Sequence, residues 1–128
     1  MSLKIAKRSN PVTLVLEGRL DTHTAPELDQ ELDNVMHSGD VKQLVFDLSR
    51  LDYLSSAGIR CFVRARKFIE PRGGKVAIVN PQPGVRKVLD IVKAIPSAGI
   101  FGSVAELDAY LDDIQRQVRE GSDPAREI

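Results

Sequence analysis

Leu44-Val45-Phe46-Asp47-Leu48-Ser49-Arg50-Leu51-Asp52-Tyr53-Leu54-Ser55-Ser56-Ala57-Gly58-Ile59-Arg60 is the stretch on which the fold turns. Its first five residues form a short apolar run, the length expected for a buried strand. From about Ser56 the period becomes helical, with Cys61, Phe62, Ala65, Phe68 and Ile69 on one stripe. The two serines stand where a loop enters that helix. Pro71-Arg72-Gly73-Gly74 ends it, and Val76-Ala77-Ile78-Val79 reads as the next buried strand, closed by Asn80-Pro81.

Toward the N-terminus, Leu3-Lys4-Ile5-Ala6-Lys7 alternates and Val12-Thr13-Leu14-Val15-Leu16 is apolar and β-branched, with the turn signal Asn10-Pro11 between them. A hairpin is expected, with strands near 3–8 and 12–18. Thr24-Ala25-Pro26-Glu27 has the form of a capping box, and Leu28, Leu32, Val35 and Met36 then give one apolar stripe ending at Ser38-Gly39-Asp40. Toward the C-terminus, Val85, Val88, Leu89 and Val92 predict a third helix. Ile100-Phe101 suits a short edge strand. Ser103-Val104-Ala105-Glu106 opens a last helix with Leu107, Tyr110, Leu111 and Ile114 inward. The element order is ββαβαβαβα, an α/β fold. Residues 1–118 are expected to form one domain and 119–128 a frayed tail.

The chain has 128 residues, a suitable length for a single domain, and 42% of them are hydrophobic, enough to build a core without disulfides or metal. Eighteen Lys plus Arg balance eighteen Asp plus Glu, which argues against a nucleic-acid binder. The lone cysteine, Cys61, excludes an internal disulfide and suits a reducing cytosol. No apolar run approaches the roughly 18 residues of a membrane span. Lys4, Lys7 and Arg8 are followed by no apolar block, so a signal peptide is not expected. The expectation is a cytoplasmic protein with no membrane insertion.

Few residues could carry chemistry. His23 and His37 are the only histidines, and Cys61 falls on an apolar helix face, so no metal site and no cofactor are expected. Gly73-Gly74 lacks the further glycines or the Gly-Lys-Ser/Thr of a phosphate loop. Ser55 or Ser56 could be a helix N-cap. A hydrolase nucleophile would need Gly-x-Ser-x-Gly at a strand tip, which is absent, and no convergent base is visible, so an enzyme is not expected. A phosphoacceptor fits better, because a helix start offers free amides and partial positive charge to a phosphate. An exposed hydroxyl there could change partner binding by about two charges without altering the fold.

The chain resembles the STAS family, specifically the bacterial anti-sigma factor antagonists. The resemblance lies in Gly18-Arg19-Leu20-Asp21 at the end of the second strand, Thr24-Ala25-Pro26-Glu27-Leu28 at the first helix, the 44–60 segment, and the 74–79 and 85–92 segments after it. It spans about residues 3–115 and implies one mixed sheet of four to five strands packed with four helices. It also implies a mechanism. Such proteins bind an anti-sigma factor that is a serine kinase of the histidine-kinase-like ATPase fold; phosphorylation of one serine breaks the complex, and a PP2C-type phosphatase belongs to the same pathway. Aligned on Gly58, that serine is Ser56, with Ser55 the second choice. Asp21 matches the neighbouring acid, and His23 and Thr24 fall in its loop. Many members have Asp-Ser-Ser-Gly where this chain has Ser55-Ser56-Ala57-Gly58.

Charge is unevenly spread. Residues 60–75 carry six basic side chains (Arg60, Arg64, Arg66, Lys67, Arg72 and Lys75) against Glu70 alone. Residues 21–33 carry Asp21, Glu27, Asp29, Glu31 and Asp33 and no Lys or Arg. The surface expected to meet a partner is Asp21, His23, Thr24, Ser55, Ser56, Ala57, Gly58, Arg60, Arg64 and Lys67, with charge guiding the approach; ordinary solvated helix faces would look the same. The alternative expectation is a cytoplasmic STAS subunit of a membrane transporter, such as a lipid-trafficking ABC system.

Overall fold

Leu14 and Leu16 on one strand, Leu44, Phe46 and Leu48 on the next, and Leu28, Leu32, Phe62, Ala65 and Ile69 on two helices meet in one buried cluster. Burying each leucine contributes roughly 1.5–3 kcal/mol. The computed structural model describes residues 3–39, 41–94 and 104–120. Strands β1 (Lys4–Arg8), β2 (Val12–Leu20), β3 (Gln43–Leu54) and β4 (Lys75–Val79) form one sheet in the order β1-β2-β3-β4. β1 and β2 are an antiparallel hairpin, while β2, β3 and β4 run parallel, so the sheet is mixed. Helices α1 (Ala25–Met36), α2 (Ser56–Ile69), α3 (Pro83–Ala94) and α4 (Val104–Arg119) complete the α/β fold. The strand expected at Ile100-Phe101 lies outside the described residues, and so do residues 121–128 of the tail expected from 119; Arg119 closes α4.

The apolar stripes place the helices as expected. Leu28, Leu32, Val35 and Met36 of α1 are buried, and so are Cys61, Phe62, Ala65 and Ile69 of α2. The rings of Phe46 and Phe62 lie 4.7 Å apart and tie β3 to α2. In α4, Leu111 and Ile114 face inward, but Tyr110 is 41% exposed and corrects the expected stripe. Gln115 takes the inward position instead.

Two local expectations are also corrected. The Thr24-Glu27 capping box does not form, because the Thr24 hydroxyl turns back to donate to the Arg19 carbonyl at 2.7 Å and to accept from the Asp21 amide at 2.9 Å. The Asp21 carboxylate accepts the His23 and Thr24 amides in its place, at 2.9 and 3.1 Å. The third strand is also longer than its apolar core. It runs to Leu54, with extra residues set against β2 between Asp47 and Arg50 and between Leu51 and Tyr53. No loop therefore separates it from the serines.

Candidate functional site

The site is built where two parallel strands end side by side. Leu20 closes β2 and Leu54 closes β3, paired in register. The Ser55 amide extends the ladder by one bond, donating to the Leu20 carbonyl at 2.9 Å. Asp21, the residue after Leu20, thus lies in the loop beside the start of α2. Within β2, Gly18 adopts φ 109 beside the register shift against β3, a backbone conformation that costs glycine little. Gly58 fixes the approach of α2: a methyl group there would stand 2.6 Å from both Leu20 Cγ and Leu54 Cδ1. The glycine lets the first helical turn lie directly on the strand ends.

Ser55 occupies the N-cap position in extended backbone, yet its side chain makes no capping hydrogen bond. The residue is only 3% exposed. Ser56 begins the helix proper and is half-buried. The hydroxyl oxygens of both serines are buried and have no hydrogen-bond partner among the described residues. The freely exposed hydroxyl expected from the sequence is therefore corrected. The cap is supplied from 52 residues away, where Asp108 of α4 accepts the Ser56 amide at 2.9 Å. A carboxylate at a helix N-terminus interacts favourably with the aligned peptide dipoles.

Three α4 residues that sequence reading missed hold this corner. Gln115, 1% exposed, accepts the Leu54 amide at 2.8 Å and donates to the Leu54 carbonyl at 2.9 Å. It does so because β4 ends at Val79, paired with Asp47, which leaves the last residues of β3 without a neighbouring strand. Asp112 stands beside the Tyr53 hydroxyl, and burial followed by this carboxylate pushes the phenol above its ordinary value. Asp108 completes the set. The three lie at i, i+4 and i+7, a polar stripe visible in the sequence but indistinguishable there from a solvated face. On the other side, the Arg19 guanidinium lies 3.9 Å above the Tyr53 ring and its Nε is 3.8 Å from the Asp21 carboxylate.

The remaining sequence-predicted residues separate into two groups. Thr24 is 2% exposed and spends its hydroxyl on the loop backbone, and Gly58 is buried. Arg64 binds inward across the helix pair: its guanidinium reaches Asp33 at 3.1 Å and Asp29 at 3.6 Å. The two oppositely charged segments thus meet partly within the molecule. His23, Arg60 and Lys67 are exposed. Thr22, Pro26, Asp29, Ala57 and Arg60 line a groove between the starts of α1 and α2. Cys61, at its floor, lies 3.4 Å from the Asp29 carboxylate, and burial pushes its thiol up to about 12. Among the described residues no group of three His, Cys, Asp or Glu could hold a metal ion, and no helix is long and apolar enough to cross a membrane.

The family model for the STAS domain matches residues 2–107. BtrV of Bordetella bronchiseptica, named as a candidate anti-sigma factor antagonist, is 32% identical over 91 residues, covering 71% of this chain and 78% of its own. The anti-sigma F factor antagonist of Paenibacillus polymyxa is 27% identical over 93 residues, covering 71% and 80%. Among solved structures, the anti-sigma factor antagonist SpoIIAA in its unphosphorylated form superposes with a TM-score of 0.54 at 21% identity, over 73% of this chain and 99% of its own. The phosphorylated form of SpoIIAA, a Bacillus cell fate determinant, gives 0.54 at 22% identity, over 70% and 82%.

Proposed function

The chain belongs to the STAS domain family, and from that premise we propose that it is an anti-sigma factor antagonist whose binding is switched by phosphorylation of Ser56. The partner is an anti-sigma factor that is also a serine kinase of the histidine-kinase-like ATPase fold. The unphosphorylated chain sequesters it, the phosphorylated chain releases it, and a PP2C-type phosphatase restores the first state. The observation that carries this reading is Ser56 as the first residue of α2, directly past the paired ends of β2 and β3 and beside the Asp21 loop. Relatives named for this role, and a fold neighbour known in both phosphorylation states, support it.

The chemistry follows from the position. The Ser56 oxygen attacks the γ-phosphorus of ATP, the bridging bond to the β-phosphate breaks, ADP leaves, and the hydroxyl proton passes to a base of the kinase. The product carries about −1.5 to −2 charges at the helix start, where amides and dipole favour it. The partner meets a surface changed in charge while the fold beneath persists. Ala57 and Arg60 extend that surface into the groove between the starts of α1 and α2, exposed His23 and Lys67 lie outside that groove, and the two cations Arg60 and Lys67 steer an acidic partner face.

Phosphopeptide mass spectrometry after incubation with the kinase and ATP tests the reading. One phosphate on Ser56 is expected, with constitutive binding by Ser56→Ala and weak binding by Ser56→Asp. An unmodified Ser55-Ser56 peptide, or equal binding by the two variants, overturns it.

A further inference from the structure

We propose that α4 is a clasp over the phosphoacceptor, closed in the unphosphorylated chain and driven off by the phosphate. The clasp stands on geometry alone; its expulsion by phosphate rests on Ser56 being the phosphoacceptor.

One face of α4 reaches three residues at the junction of β3 and α2: the side chain of Tyr53 and the main chain of Leu54 and Ser56. Asp112 faces the Tyr53 hydroxyl, Gln115 takes both backbone groups of Leu54, and Asp108 takes the Ser56 amide. Leu111 and Ile114, buried on the same helix, provide the apolar backing, and α3 supports it from behind. Polar groups at i, i+4 and i+7 aimed at 53–56 form a matched set rather than a generic packing face. Beside this contact the Ser56 hydroxyl is buried, with no hydrogen-bond partner among the described residues, and in the clasped arrangement the oxygen is withheld from a nucleotide γ-phosphate. The kinase acts only on the open fraction, and the rate of modification is reduced by that fraction.

Closure also carries a built-in weakness. It leaves the hydroxyls of both Ser55 and Ser56 without hydrogen bonds among the described residues, which water would satisfy on opening. Once phosphate is attached, the dianion seeks the helix-start amides that the Asp108 carboxylate occupies. Two anions at one helix N-terminus repel, and Asp108 is the one that can leave. The chain therefore has two arrangements, clasped with a free hydroxyl and open with phosphate at the start of α2. A partner that touches α4 as well as Ser56 reads both changes together.

The test uses the full chain carrying Ser56→Cys with Cys61→Ala, labelled by a small aromatic disulfide. Slow labelling is expected, accelerated about tenfold to a hundredfold by adding Asp108→Ala, the loss expected for a hydrogen bond to a charged group. A Cys at 56 that reacts as fast as in denaturant overturns the clasp, and so does an Asp108→Ala rate equal to that of its parent. Hydrogen exchange on the unaltered chain is the safeguard against variants that fail to fold: protection of the Ser56 amide supports closure and its absence overturns it. In Ser56→Asp, loss of protection in α4 with β2 and β3 still protected is expected, and unchanged α4 protection overturns expulsion. No kinase enters these measurements. A clasped chain that never accepts phosphate refutes the switch alone, and phosphorylation of the unaltered chain together with a freely reactive thiol in the Ser56→Cys variant refutes the clasp alone.

Discussion

The Gln115 carboxamide satisfies both backbone groups of Leu54, as a neighbouring strand would, because β4 stops short of the end of β3. A side chain on α4 thereby finishes the sheet beside the serines. Gln115→Leu keeps the bulk but leaves a buried amide and carbonyl unpaired, at about 1–3 kcal/mol each. Urea denaturation should show a lowered midpoint with an unchanged slope; an unchanged midpoint would mean the two bonds contribute nothing.

Gly58→Ala should destabilise the fold by about 1–3 kcal/mol, because its methyl group meets Leu20 and Leu54 at 2.6 Å. Leu20→Ala opens the space it needs, so the double variant should be more stable than the two single costs added together. Strict additivity in thermal or urea unfolding would show that the close approach is not the reason for glycine.

How far the sequence announced this site depends on the distance over which each part is determined. The helices α1 and α2 were legible because their stripes, Leu28-Leu32-Val35 and Cys61-Phe62-Ala65-Ile69, are local and periodic. The full length of β3 was not, since its extra residues shift the buried set from Leu44, Phe46 and Leu48 to Leu51 and Tyr53 and break the alternation. Thr24 and Glu27 match a capping pattern, but Asp21 three residues earlier competes for the same amide and prevails. Asp108 and Gln115 meet the serine segment 52 and 61 residues away, and no local pattern marks such a contact.

The Cys61 thiol should be inert to alkylation at neutral pH and react only on unfolding, since it is buried and held protonated up to about 12. Its folded value is raised above the ordinary 9.0, so the folded chain keeps a proton that the unfolded chain loses. Its contribution to stability is therefore present below pH 9.0 and lost as pH rises from there toward about 12. Denaturation curves of the wild-type and Cys61→Ala chains should converge across that window. A constant gap would contradict the assignment.

Arg64 and Arg60 should behave differently although they are four residues apart on α2. Arg64 joins Asp29 and Asp33 with both partners partly exposed, so Arg64→Ala should cost no more than about 1 kcal/mol of stability. Arg60→Glu and Lys67→Glu should leave stability nearly unchanged and slow association with the partner, the effect shrinking as salt is raised. Stopped-flow association at two ionic strengths checks this; rates independent of both charge and salt would remove the steering surface.

The most direct measurement is capture of the tagged chain's partner with and without ATP, followed by mass analysis of the eluted chain. The account requires retention without ATP, release with it, and phosphate appearing on Ser56 in step with release. Retention that ignores ATP, or release from a chain bearing no phosphate at that serine, would contradict it.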